Sequence, residues 1–207
     1  MFLFDGPQAA QLTVVLAHGA GAAMDSGFMQ DMAAALAGQG LRVARFEFGY
    51  MAQRRVGGAK RPPPKVDLLC AEYRAAVRLL AAEGPLVIGG KSMGGRVASM
   101  VSDDLGVAGL LCLGYPFHPI GKPEKLRVAH LATLQTPTLI CQGTRDPFGT
   151  RDEVASYPLS DRILLEWLED GEHDFKPRKR VTGQTQADLI AQAARAVALW
   201  SAELPPG

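Results

Sequence analysis

Pro85-Leu86-Val87-Ile88-Gly89-Gly90-Lys91-Ser92-Met93-Gly94-Gly95-Arg96 reads as a strand, a tight turn and the opening of a helix. Residues 85–89 are apolar throughout, the pattern of a strand covered on both faces. Residues 95–101 continue as a helix. Between them, the pentad Gly90-Lys91-Ser92-Met93-Gly94 places glycine two positions before and two after a serine. A serine held at such a turn has a strained backbone and crowded neighbours, so the flanking positions must lack side chains, and the hydroxyl projects beyond the sheet edge. The helix that starts there aims its free N–H groups at negative charge developing near Ser92.

The same alternation of short apolar runs with longer amphipathic ones extends in both directions. Strand-like runs occupy residues 12–17, 42–48, 107–114, 137–141 and 162–168. Phe28, Met32 and Leu36 share one helical face, as do Leu69, Tyr73, Val77 and Leu80; Leu189, Ala193, Val197, Trp200 and Leu204 form a closing stripe. The expected architecture is α/β: a mostly parallel sheet flanked by helices on both faces, in a single domain spanning residues 1–207. Ligands of such sheets bind beyond the carboxyl ends of the strands, so functional residues are expected just after strands.

Composition narrows the function classes. The formal net charge is +1, from 22 basic and 21 acidic residues, which gives no overall field to gather nucleic acid or an anionic membrane. The opening MFLFDGPQAA lacks the basic and apolar regions of a secretory signal, and no apolar run is long enough to cross a bilayer. Cys70, Cys112 and Cys141 are odd in number, far apart and set among apolar residues, as reduced structural thiols are, rather than disulfides or a metal site. The expected compartment is the cytoplasm, with no metal and no cofactor. No pattern specifies an oligomeric state.

A serine hydroxyl is a weak nucleophile at neutral pH, so Ser92 needs a base to take its proton and a carboxylate to hold that base. The order serine, acid, histidine selects among four histidines. His18 precedes Ser92, His118 and His130 precede the run at 137–141, and His173 alone follows the last strand. Asp146 follows the run at 137–141 in Gly143-Thr144-Arg145-Asp146-Pro147 and is the expected acid, with Asp152 or Glu153 as substitutes if the loop is longer; Asp174 reads as a solvated neighbour. Negative charge on a tetrahedral intermediate requires backbone donors. Met93, after the nucleophile, is one; Ala20, in His18-Gly19-Ala20-Gly21 after an early strand, is the other. His18 itself reads as a brace or, alternatively, a substrate contact.

About twenty residues separate the strand at 107–114 from Pro137, too few for a cap domain, so the cleft is expected to be open. Tyr115 and Phe117, leaving that strand, either wall the cleft or pack beneath it. Residues 53–65, basic and rich in glycine and proline, read as a mobile solvated loop or as an attractor of acidic substrate groups.

These segments together resemble the small α/β-hydrolases related to dienelactone hydrolase, and most of all a branch that includes the hydrolase-like domain of an animal histone-acetylation complex subunit. The resemblance spans nearly the whole chain and rests on His18-Gly19-Ala20-Gly21, Gly90 to Arg96, Gly143-Thr144-Arg145-Asp146 and Gly171-Glu172-His173-Asp174-Phe175. It implies an α/β-hydrolase fold and the triad Ser92, Asp146 and His173. Dienelactone hydrolase carries a cysteine where this chain has Ser92, so the implied chemistry is that of a serine ester or thioester hydrolase acting on a small or accessible acyl substrate. Some members of that branch are known as binding partners, so the alternative expectation is a non-catalytic binding or scaffold protein that keeps the fold.

Overall fold

Residues 1–205 are described by a computed structural model of the chain. Seven strands are hydrogen-bonded into one sheet in the order β1-β3-β2-β4-β5-β6-β7. Their ranges are β1 Phe2–Asp5, β2 Thr13–Ala17, β3 Arg42–Phe46, β4 Leu86–Lys91, β5 Gly109–Leu113, β6 Thr138–Gly143 and β7 Ile163–Leu168. All neighbours run parallel except β1, which pairs antiparallel with β3.

The continuously apolar strands are explained by the two layers they serve. Val14, Leu16, Val43, Val87, Leu111 and Cys141 face one side, where they meet helices α1 (Gly27–Gly38) and α8 (Gln186–Ala202) through Met29, Met32, Leu36, Leu189, Ala193 and Val197. Val15, Ala17, Ala44, Ile88, Leu110 and Cys112 face the other. There they meet α2 (Gly49–Arg55), α3 (Val66–Leu80) and α4 (Met93–Ser99). Adjacent strand residues point to opposite faces, so a sheet buried on both sides has no position for polar alternation. Short helices α5 (Ser102–Leu105), α6 (Arg151–Val154) and α7 (Lys179–Thr182) complete the set, and a capping box of Thr185 and Asp188 starts α8.

Several expectations need correcting. No strand is expected before residue 12, yet Phe2–Asp5 forms β1 at the sheet edge. The run expected over 42–48 stops as a strand at Phe46; Phe48 instead precedes α2, which takes up residues 49–55 and with them the start of the supposed loop at 53–65. Arg55 is held there by Asp25 and Glu47. The helix expected from Gly95 starts at Met93, directly after the serine.

Residues 114–137 contain one 3-10 turn, Leu131–Thr133, and no α-helix, so no cap covers the carboxyl edge of the sheet among the described residues.

Candidate active site

Register places the ends of β2, β4 and β5 side by side: Ala17 pairs with Gly90, and Gly90 with Cys112. Ser92 follows with φ 51° and ψ −113°, a conformation that costs a non-glycine residue roughly 1–3 kcal/mol. Its N–H donates to the Leu113 carbonyl at 2.9 Å, which fixes the turn to the neighbouring strand. The glycine requirement is steric. A Cβ on Gly94 would stand 2.5 Å from the Ala17 carbonyl oxygen and 2.7 Å from that of His18, and one on Gly90 would collide with the Ala17 carbonyl too.

Two other strand ends deliver the remaining groups. Gly143 on β6 pairs with Leu168 on β7, so the loops after them run together. There His173 Nδ1 lies 2.8 Å from Asp146 Oδ2. Asp146 is fully buried; its Oδ2 also accepts from Gln142 Nε2 at 3.0 Å, and its Oδ1 from the Phe148 N–H at 2.9 Å. With Nδ1 held by the carboxylate, Nε2 is the ring nitrogen left to exchange a proton. His173 and Ser92 line one cavity of about 550 Å³, together with Phe28, Lys91, Phe148 and Asp174.

The His173 loop is clamped at its start. Asp170, with φ 57°, accepts from the Arg178 N–H at 2.6 Å and Nε at 2.8 Å, and its N–H donates to Thr144 Oγ1 at 2.9 Å. Arg145 reaches the Asp170 carbonyl at 3.0 Å. Hydrogen bonds from Arg178, reinforced by Arg145, hold the Asp170 carboxyl down to about 2.

Met93 opens α4, so its N–H has no carbonyl a turn earlier in the helix, and Met93 and Ala20 both line a cavity with Ser92. The Ala20 carbonyl accepts the Tyr50 hydroxyl at 2.9 Å, which pins that loop.

A family model described as an alpha/beta hydrolase domain matches residues 10–202. The chain belongs to the α/β-hydrolase family. Among solved structures, a lidless α/β serine hydrolase from Xanthomonas campestris is similar, with 21% identity and a TM-score of 0.73 over 99% of this chain and 89% of that one. Dienelactone hydrolase from Anabaena variabilis has 19% identity and a TM-score of 0.70 over 98% and 91%. Est1E from Butyrivibrio proteoclasticus, solved with ferulic acid bound, has 14% identity and a TM-score of 0.71 over 98% and 95%. At these identities the likeness is one of fold.

Within this α/β-hydrolase the other expected contacts fall differently. His18 is fully buried, its Nδ1 donating to the Gly19 carbonyl at 2.6 Å and its Nε2 accepting from the Phe48 N–H at 3.2 Å. Burial lowers its pKa, and a neutral ring is what these two bonds require. It braces the loop and lines neither cavity beside Ser92. Tyr115 and Phe117 are likewise fully buried and line neither cavity beside Ser92, so they are not the cleft wall; Phe148 and Pro116 stand there instead. Glu153 caps α6 through Thr150 and Asp152 is exposed, so neither replaces Asp146. Asp174, expected to be merely solvated, stands 3.3 Å from Lys91 Nζ.

Two residues were not singled out from the sequence. Gln142 is buried, with Oε1 accepting from the Tyr115 N–H at 2.7 Å and Nε2 shared among Asp146 and the carbonyls of Tyr115 and Gly149. Its only signal is an amide at the end of an otherwise apolar strand. Lys91 precedes the nucleophile with its ammonium buried against the Phe28 ring, and burial holds it below the usual lysine range. No helix is long and apolar enough to cross a membrane, and no cluster of metal-ligating side chains occurs, among the described residues.

Proposed function

We propose that this chain is a serine hydrolase that cleaves carboxylic ester or thioester bonds through an acyl-enzyme. The observation that carries this reading is Ser92, in its strained turn, sharing a cavity with a histidine whose other ring nitrogen is tied to a buried carboxylate. Ser92 Oγ attacks the acyl carbon as its proton passes to His173 Nε2. Asp146 keeps the Nδ1–H in place and offsets the imidazolium charge that forms. The Met93 and Ala20 N–H groups receive the oxyanion, each such donor being worth roughly 3 kcal/mol. Collapse of the intermediate expels the alkoxide or thiolate, which takes the proton back from His173. Water then repeats the sequence on the acyl-enzyme and restores Ser92.

The open carboxyl edge, and a neighbour described as a serine hydrolase without a lid, support a small or accessible acyl substrate. No step calls for a cofactor. A fluorophosphonate probe tests the nucleophile: wild type is expected to label on Ser92 and Ser92→Ala not at all. Equal labelling of the two proteins would replace this reading with that of a binding protein that keeps the fold. A p-nitrophenyl ester series of increasing acyl length would then measure the size limit.

A further inference from the structure

Ser92 lines a second cavity, of about 390 Å³, on the side away from His173. Its walls are mostly apolar, from Pro63, Pro64, Met93, Val97 and Phe148, but two arginines enter it, Arg96 and Arg127. Neither forms an ion pair or a side-chain hydrogen bond among the described residues, whereas Arg45, Arg55, Arg74, Arg145 and Arg178 each hold a carboxylate within 3 Å. Arg96 Nε is shut off from solvent with no acceptor. Arg127 is held below the usual arginine range by burial and then by Arg96, a like charge. Two partly buried guanidinium groups that repel one another in an apolar pocket are satisfied by an anion, which a planar N–H fork binds with paired hydrogen bonds.

Both arginines are positioned from the backbone. The Arg96 N–H donates to the Ser92 carbonyl at 3.0 Å, one helical turn from the nucleophile. The Arg127 N–H donates to the Phe117 carbonyl at 2.7 Å, and its own carbonyl accepts the Tyr115 hydroxyl at 3.0 Å. The buried aromatics that miss the cleft thus anchor one of its cations. The basic segment at 53–65 contributes Pro63 and Pro64 to the wall, while Lys60, Arg61 and Lys65 point to solvent as exposed residues.

We infer that this cavity is an anion subsite, and that the substrate's acyl chain ends in a carboxylate or phosphate held by Arg96 and Arg127 a few methylenes from the carbonyl attacked by Ser92. The short span follows from Ser92, Arg96 and Arg127 lining one cavity of about 390 Å³. Half-esters and thioesters of short dicarboxylic acids have this shape. The inference rests on the serine-hydrolase reading for the word substrate, but not for the anion site.

The test compares mono-4-nitrophenyl glutarate with 4-nitrophenyl pentanoate, alongside calorimetric titration with glutarate and with inorganic phosphate, which needs no turnover. Wild type is expected to favour the anionic ester at least tenfold in kcat/KM, mainly through KM. Arg127→Gln and Arg96→Gln bring that ratio toward one, Arg127→Lys leaves it intermediate, and Arg127→Glu inverts it. Glutarate or phosphate binding weakens at least tenfold in Arg127→Gln, and the tighter of the two identifies the anion. An equal ratio in wild type and Arg127→Gln, or titrations that show no binding, would overturn the subsite. If Ser92 proves unreactive and neither ester turns over, the hydrolase reading fails alone, and the titrations still decide the anion site.

Discussion

His173 Nδ1 and Asp146 Oδ2 are 2.8 Å apart, and that carboxylate is entirely out of water. Asp146 thereby fixes which nitrogen of the imidazole carries the proton. Replacing it with asparagine turns an acceptor into a group that can present N–H to Nδ1, so the ring settles in the tautomer that cannot take the serine proton. Asp146→Asn is expected to lower kcat by about 10⁴-fold with the fold retained. Ester kinetics and circular dichroism check both halves; activity within tenfold of wild type would remove Asp146 from the triad.

Gln142 serves three acceptors through one amide group while its oxygen takes the Tyr115 N–H. Gln142→Leu leaves the Tyr115 N–H and the Gly149 carbonyl without the amide they bond and takes one donor from Asp146, at a cost of about 2 kcal/mol. For a chain of this size that corresponds to a fall in Tm of about 4–8 °C. Because Asp146 loses one of the hydrogen bonds that fix its carboxylate, kcat should drop as well, and a variant with wild-type Tm and kcat would show that the amide is dispensable.

Gly94→Ala asks a methyl group to share space with two carbonyl oxygens of the β2 end. The backbone around Ser92 must shift to admit it. The expected outcome is loss of fluorophosphonate labelling together with a stability loss above about 3 kcal/mol, read by urea unfolding. Gly21→Ala, where a Cβ meets nothing within 4 Å, is the matched control and should unfold as wild type does.

The Asp170 clamp carries a pH signature. Its carboxyl sits at about 2 in the folded protein against an ordinary 3.8, so its contribution to stability is complete above about 4 and disappears as the pH falls toward 2. Asp170→Asn should therefore show a Tm below that of wild type at pH 5 and above, with the two curves converging between pH 4 and 2. Amide exchange in residues 170–178 should quicken in the variant at neutral pH. Parallel curves throughout would mean that Arg145 and Arg178 do not draw on this charge.

The residues of the proposed triad could be chosen from the sequence because the chain order of a parallel sheet turns position after a strand into position at one edge. Ser92, Asp146 and His173 each follow a different strand, and strand order together with the order serine, acid, histidine was enough to group them, with Asp152 and Glu153 left open as substitutes for the acid. The side chains around them were harder to read, since their direction depends on partners distant in sequence. Tyr115 turns inward because Gly114, at φ 66°, redirects the chain and Gln142 captures the Tyr115 amide. An aromatic next to proline reads the same whether it walls a cleft or lies beneath it. Helix α2 escaped notice for a related reason: its last turn is held by Asp25 and Glu47, and the Gly49 N–H donates to Glu72 at 2.8 Å. Strand β1 has four residues with Phe4 exposed, too short a pattern to separate from a frayed end.

Ala20, Ser92 and Phe148 belong to the walls of both cavities, so the serine stands on a partition and not at the end of a tunnel. Traffic across a partition has two directions. On the proposed reading, the alcohol or thiol half departs through the larger chamber while the acyl half stays moored by its far end in the smaller one, and the departing group vacates the ground that the incoming water must occupy. Neither product has to wait for the other, and nothing has to swing open. Turnover would then be paced by chemistry at Ser92, and added viscogen should leave kcat unchanged.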